Sequence, residues 1–110
     1  DEVLRNFAGA VGELLRATDM LARLGGEEFA LLLPNTSQDG AIEVATRILG
    51  VVHQQSIDCD GEQIQYNVSI GTALLAEHET RYECLLQRAD EALYRAKENG
   101  RDQVVSEQAI

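Results

Sequence analysis

Between Met20 and Leu33 two short apolar runs flank the tetrad Gly25-Gly26-Glu27-Glu28, followed at once by Phe29. Two β-capable runs joined by so short a Gly-rich link read as an antiparallel hairpin, which fixes the local chain direction and leaves a helix little room here. The glycines permit a tight turn and let a ligand come close to the backbone. The two carboxylates then stand side by side at the tip of a stiff element. Adjacent acids repel, which raises at least one of their pKa values unless a cation lies between them. A hard divalent ion such as Mg²⁺ or Mn²⁺ suits oxygen ligands of this kind. By itself the same tetrad is also compatible with a solvated, glutamate-rich hairpin tip.

The chain has 110 residues, which suits a single domain, and 45% of them are hydrophobic, enough for a core. Its formal net charge of -10 argues against a nucleic-acid polymer or an anionic membrane as a general partner. If the ligand carries phosphates, positive charge must be brought to it locally, by metal and by a few placed basic residues. Cys59 and Cys84 are far apart and form no metal-binding or redox spacing, so buried free thiols in a reducing compartment are expected. His53 and His78 lack ligand spacing and are expected at the surface. No signal peptide, transmembrane run or lipidation motif is evident.

In chain order, Asp1 to Arg16 predicts a helix, with Val3, Leu4, Phe7, Ala8, Val11, Leu14 and Leu15 on one face. Arg16-Ala17-Thr18-Asp19 leads from it into the hairpin. Either these are a helix-terminal arginine and a turn aspartate, or the two turn together to bind a phosphorylated ligand. After Pro34-Asn35, Thr36 or Ser37 caps a second helix running to about Gln54, with Ala41, Ile42, Ala45, Ile48, Leu49 and Val52 inward and Arg47 outward. Cys59-Asp60-Gly61-Glu62 is a turn between strands. The second of these is expected to run from Ile64 to Leu75, interrupted by Gly71, where a strand glycine signals a bulge or a close backbone approach. Thr80-Arg81-Tyr82-Glu83 has capping-box form. The helix after it is expected to bury Leu85, Leu86, Ala89, Leu93 and Ala96 and to end at Asn99-Gly100, with Lys97 and Arg101 flanking that end. Val104 and Val105 form a short closing strand.

Taken together, Gly25-Gly26-Glu27-Glu28-Phe29, Ser69-Ile70-Gly71 and the run from Arg88 through Lys97 to Asn99-Gly100-Arg101 resemble the GGDEF domains, the diguanylate cyclases that make cyclic di-GMP from two GTP. The resemblance covers nearly the whole chain, in order and at family spacing. It implies that Glu27 is the signature metal ligand, that Glu28 is the second acid beside Mg²⁺ or Mn²⁺, and that both are catalytic. It implies that Gly25 and Gly26 admit the ribose and phosphates, that Lys97 and Arg101 contact the triphosphate, that Asp1 hydrogen-bonds guanine and that Leu4 lines the pocket. Arg16 and Asp19 match the family's RxxD inhibitory site for product, with Arg47 as a secondary contact. Some family members carry a further arginine one turn earlier, where Glu43 stands here.

The family's first βα segment, with its central strand, a metal-binding aspartate and a guanine-contacting asparagine, has no counterpart in this sequence. The expectation is therefore a single domain piece spanning residues 1–110, the C-terminal two-thirds of a cytoplasmic α/β (α+β) domain. Its mainly antiparallel sheet is flanked by helices and resembles the palm of nucleotidyl cyclases and polymerases. The parent is expected to carry an upstream sensory domain, either free in the cytoplasm or tethered to the inner membrane. It is expected to act as a homodimer on GTP, with cyclic di-GMP as product and inhibitor. The rival expectation is an inactive module that binds cyclic di-GMP or regulates a partner.

Overall fold

The computed structural model describes residues 2–25, 28–75 and 82–107, with the side chains of 23–25, 28, 59 and 82 outside that description. Helix α1 spans Glu2–Gly12, strands β1 and β2 span Met20–Gly25 and Glu28–Leu32, and helix α2 spans Gln38–His53. Strands β3 (Ile57–Cys59), β4 (Glu62–Ile64) and β5 (Ile70–Thr72) precede helix α3 (Tyr82–Glu98), and β6 (Val104–Ser106) follows it. The strands pair as β1-β2 and β3-β4, both antiparallel, and as β5-β6, which is parallel. The expected α/β class with mainly antiparallel pairing is therefore met, with a parallel element that the sequence did not signal.

The centre of the core is Val11, Ile48 and Val52, one from α1 and two from α2. Phe7, Leu14, Leu15, Leu21, Leu31, Val68 and Ile70 pack around them, so the two helices lie against the β1-β2 ribbon and the approach to β5. Helix α2 starts where a serine can satisfy its free amides: Ser37 is extended (φ -73°, ψ 168°) and its hydroxyl accepts from the Gly40 N–H at 3.1 Å. Asp60 and Gly61, with φ of 52° and 86°, make the two-residue turn between β3 and β4 in the form that matches strand twist.

Several expectations are corrected. Helix α1 ends at Gly12 rather than Arg16, and Leu14 and Leu15 bond back to Val11 and Gly12 in tighter i→i−3 turns while still packing on the core. The strand read from Ile64 to Leu75 is two short strands with residues 65–69 between them. Cys84 is exposed rather than buried, and so is Leu86, at 42%; Ala92, which was not expected inside, is fully buried with Ala96. The capping box at Thr80, the burial of Cys59 and the surface position of His78 lie outside the described residues.

At Gly71 the strand glycine does mark a close approach. A Cβ there would collide with the Leu93 amide nitrogen and the Ala89 carbonyl, so α3 sits directly on the β5 backbone. Ala92 and Ala96, each 0% exposed, continue that small-residue seam. The seam fixes where the C-terminal end of α3 comes to lie.

Candidate active site

The β1-β2 ribbon carries the signature. Its register runs Met20↔Leu32, Leu21↔Leu31, Ala22↔Ala30 and Arg23↔Phe29, and then steps to Gly25↔Glu28. One extra residue, Leu24, is thus accommodated on β1 as a bulge, which bends a strand and re-aims the side chains beyond it. Phe29, the last residue of the signature, stacks on Phe7 of α1 with ring centroids 5.1 Å apart and planes at 51°. This contact anchors the ribbon to α1 near its tip, on the helix that also carries half-buried Leu4. Gly25 closes β1 and Glu28 opens β2 opposite it, while Gly26, Glu27 and Asp1 lie outside the described residues. By their chemistry, two carboxylates adjacent in sequence, as Glu27 and Glu28 are, make a donor set suited to Mg²⁺ or Mn²⁺. Such ions are commonly held by one or two carboxylates, with substrate phosphates and water completing the shell. Among the described residues no group of three or more His, Cys, Asp or Glu could hold a metal.

The basic pair lies towards the other end of the chain, at the glycine-capped C-terminus of α3. Gly100 (φ 113°) takes the left-handed conformation, and the Arg101 N–H bonds to the Ala96 carbonyl at 2.9 Å, which closes the helix as a Schellman cap. Lys97 in the last turn and Arg101 just beyond the cap are both exposed, and neither side chain makes an ion pair among the described residues. These two cations beside a helix C-terminus supply local positive charge on an acidic chain.

Arg16 and Asp19 are brought together at the foot of β1. The guanidinium grips the Asp19 carboxylate through Nε at 3.2 Å and Nη2 at 2.8 Å, and the Arg16 backbone N–H donates to the same carboxylate at 2.8 Å. Nη2 also donates to the Pro34 carbonyl at 3.0 Å and the Thr36 hydroxyl at 2.9 Å, tying the turn to the entrance of α2. The Asp19 side chain is 4% exposed and that of Arg16 is 55% exposed. Hydrogen bonding and charge from Arg16 hold the Asp19 carboxyl below the usual carboxylate range, and Asp19 in turn raises the Arg16 guanidinium. Sequence spacing found this pair but not Thr36, which is twenty residues along the chain from Arg16 and carries no local signal of the contact. Arg47 is not part of the cluster. It lies exposed on α2 and donates to Glu43 at 2.9 Å, one helical turn back.

The family model described as diguanylate cyclase, GGDEF domain, matches residues 1–103. Diguanylate cyclase A of Treponema denticola is 40% identical over 104 residues, covering 94% of this chain and 28% of that protein. The response regulator PleD of Caulobacter vibrioides is 39% identical over 111 residues, covering 99% of this chain and 24% of that protein. The chain thus spans about a quarter of the length of these relatives. Among solved structures, the GGDEF domain of DgcB from Caulobacter crescentus, in complex with c-di-GMP, superposes with a TM-score of 0.91 at 28% identity, covering 98% of this chain and 64% of that one. With the family match running through the ribbon, the RxxD turn and the capped end of α3, the chain belongs to the GGDEF family of diguanylate cyclase domains.

Proposed function

We propose that the full-length protein condenses two GTP into cyclic di-GMP, with release of two pyrophosphates. In each half-reaction the 3′-hydroxyl oxygen of one nucleotide bonds to the α-phosphorus of the other, the bond to the β-phosphate oxygen breaks, and the hydroxyl proton is lost. The observation that carries this reading is the bulged ribbon, where Gly25 pairs with Glu28 and Phe29 is anchored on Phe7. A receptor that only bound product has no use for two acids adjacent in the signature, Glu27 and Glu28.

Glu27 and Glu28 would hold Mg²⁺ or Mn²⁺. When bound, the metal neutralises the triphosphate and lowers the pKa of the attacking hydroxyl. Gly25 and Gly26 leave the turn without side chains where ribose and phosphates must lie close. Lys97 and Arg101 bind the triphosphate from the end of α3, and one acid of the pair accepts the proton. Asp1 accepts from the N1 and N2 donors of guanine. Adenine has no N1 donor, so an unpaired carboxylate would reject ATP. Because each domain holds one GTP and the product is two-fold symmetric, two domains face one another in a homodimer. Product returns to Arg16 and Asp19 as an inhibitor. Incubating the full-length protein with GTP and Mg²⁺ and looking for cyclic di-GMP by mass tests the reading, and its absence under conditions that keep the protein folded and dimeric would refute it.

A further inference from the structure

The turn that carries Arg101 is held in an unfavourable shape. Arg101 has φ 65° and Asp102 has φ 51°, both in the left-handed region that arginine in particular rarely adopts. Such residues persist where the surroundings over-determine them. Most of the bonds that do so here are local to the ends of α3 and β5. The Asp102 N–H donates to the Ser69 hydroxyl at 3.1 Å, the Ile70 N–H to the Gln103 carbonyl at 2.8 Å, and the Gln103 amide to the carbonyls of Asn99 and Arg101 at 3.0 and 3.1 Å. One tether comes from elsewhere. His53, the last residue of α2, lies with Nε2 2.6 Å from the Asp102 Oδ1, across a separation of 49 residues. A carboxylate only accepts, so the contact places a proton on Nε2. Both side chains border an open cleft of about 300 Å³ lined also by Gln65, Tyr66 and Asn67.

The geometry points to His53 as a positioning residue for Arg101. By gripping Asp102 it pins the turn to α2, in the core-forming half of the molecule, and so fixes the backbone from which the Arg101 guanidinium reaches a nucleotide phosphate. The pair is half-exposed, at 48% and 38% for the two side chains, so little stability is tied up in it, and its effect falls on where the turn sits. The inference rests on the reading of Arg101 as a phosphate contact.

In the full-length protein, His53→Ala should raise the KM for GTP on the order of threefold, the scale of an exposed ion pair, with kcat unchanged. His53→Gln, whose amide nitrogen can donate to Asp102, should restore most of the loss. The KM effect should vanish in an Arg101→Ala background, because the positioned group is then gone. Hydrogen exchange of the segment covering residues 99–103 should quicken in His53→Ala and return towards wild type in His53→Gln. A KM effect of equal size in both backgrounds, or an unchanged KM where Arg101→Ala raises it, would overturn the proposal. If Arg101→Ala itself left KM unchanged, the phosphate-contact reading would fall instead. Exchange at 99–103 would then decide alone: faster exchange in His53→Ala upholds the clasp, and unaltered exchange overturns it.

Discussion

The guanidinium of Arg16 illustrates what one residue can be made to do by its neighbours. Nε and Nη2 are committed to Asp19, Pro34 and Thr36, while Nη1 makes no bond among the described residues. A planar fork fixed along one edge and open along the other is ready for a phosphate or a guanine edge with little rotamer freedom left to lose. The pair has a pH signature. Because Asp19 titrates below its ordinary value of 3.8 when folded, its contribution is present above that value and is lost as pH falls through the lower, folded pKa. Urea melts of wild type and Asp19→Asn should therefore differ most near neutrality and converge under acid conditions; a gap that stayed constant with pH would show that the charge of Asp19 is immaterial. For the signature acids the expected effect is catalytic instead. If Glu27 is the metal ligand proposed above, Glu27→Gln should raise the barrier to cyclic di-GMP formation by several kcal/mol. Retention of more than about a tenth of the wild-type rate, a loss of only ~1.4 kcal/mol, would remove Glu27 from the metal site.

At the scale of elements, the seam between α3 and β5 sets where the basic pair stands, and it tolerates nothing larger than hydrogen at Gly71. A methyl there must displace the backbone of Leu93 and Ala89 rather than a flexible side chain, because both fall well inside van der Waals contact. Gly71→Ala should cost about 1–3 kcal/mol or more of stability, as overpacking of a close seam does. Gly9→Ala, in the exposed face of α1 with nothing within 4 Å, should gain about 0.5–1 kcal/mol from helix propensity alone. Thermal melts of the two variants should move in opposite directions, and equal melts would refute the seam. Gly71 was legible because a glycine weakens an alternating run unless a bulge or a neighbouring backbone requires it. The alternation itself was legible as facing but not as pairing: Tyr66, Val68 and Ile70 do pack on the core, yet residues 65–69 belong to no strand. Side-chain period reports which way residues point, and a ladder also needs a partner strand. Likewise Leu14 and Leu15 kept the apolar face going past Gly12, where the helix had already tightened and ended. The acids, the basic pair and the RxxD spacing could be read locally. The bulge at Leu24, the Thr36 contact and the clasp between His53 and Asp102 could not, since each depends on residues brought together only by folding.

For the whole molecule the governing fact is a net charge of -10 on a domain proposed to bind polyanions. On the proposed reading, substrate and product are received where basic side chains stand; among the described residues Lys97 and Arg101 stand at the end of α3 and Arg16 at the foot of β1. The foot of β1 is joined to the signature through the ribbon: Asp19 immediately precedes Met20, and β1 runs from there to Gly25. A strand of that length spans roughly 17–20 Å, long enough to separate two ligands and stiff enough to convey a change at one end to the other. On the proposed reading, product seated on Arg16 would bias the acids within one domain, or bridge to Arg47 of a second and hold two domains apart. Glu43 competes for Arg47, which weakens the second route relative to the first. Coupling of about 1–3 kcal/mol is the ordinary size for such linkage. Added cyclic di-GMP should therefore slow GTP turnover by the full-length enzyme, and Arg16→Ala should abolish that slowing. Glu43→Gln should instead deepen it, by freeing Arg47 for the ligand. Progress curves with and without added product measure all three; inhibition that survives Arg16→Ala undiminished would leave Arg16 and Asp19 as no more than the brace between α1 and the ribbon.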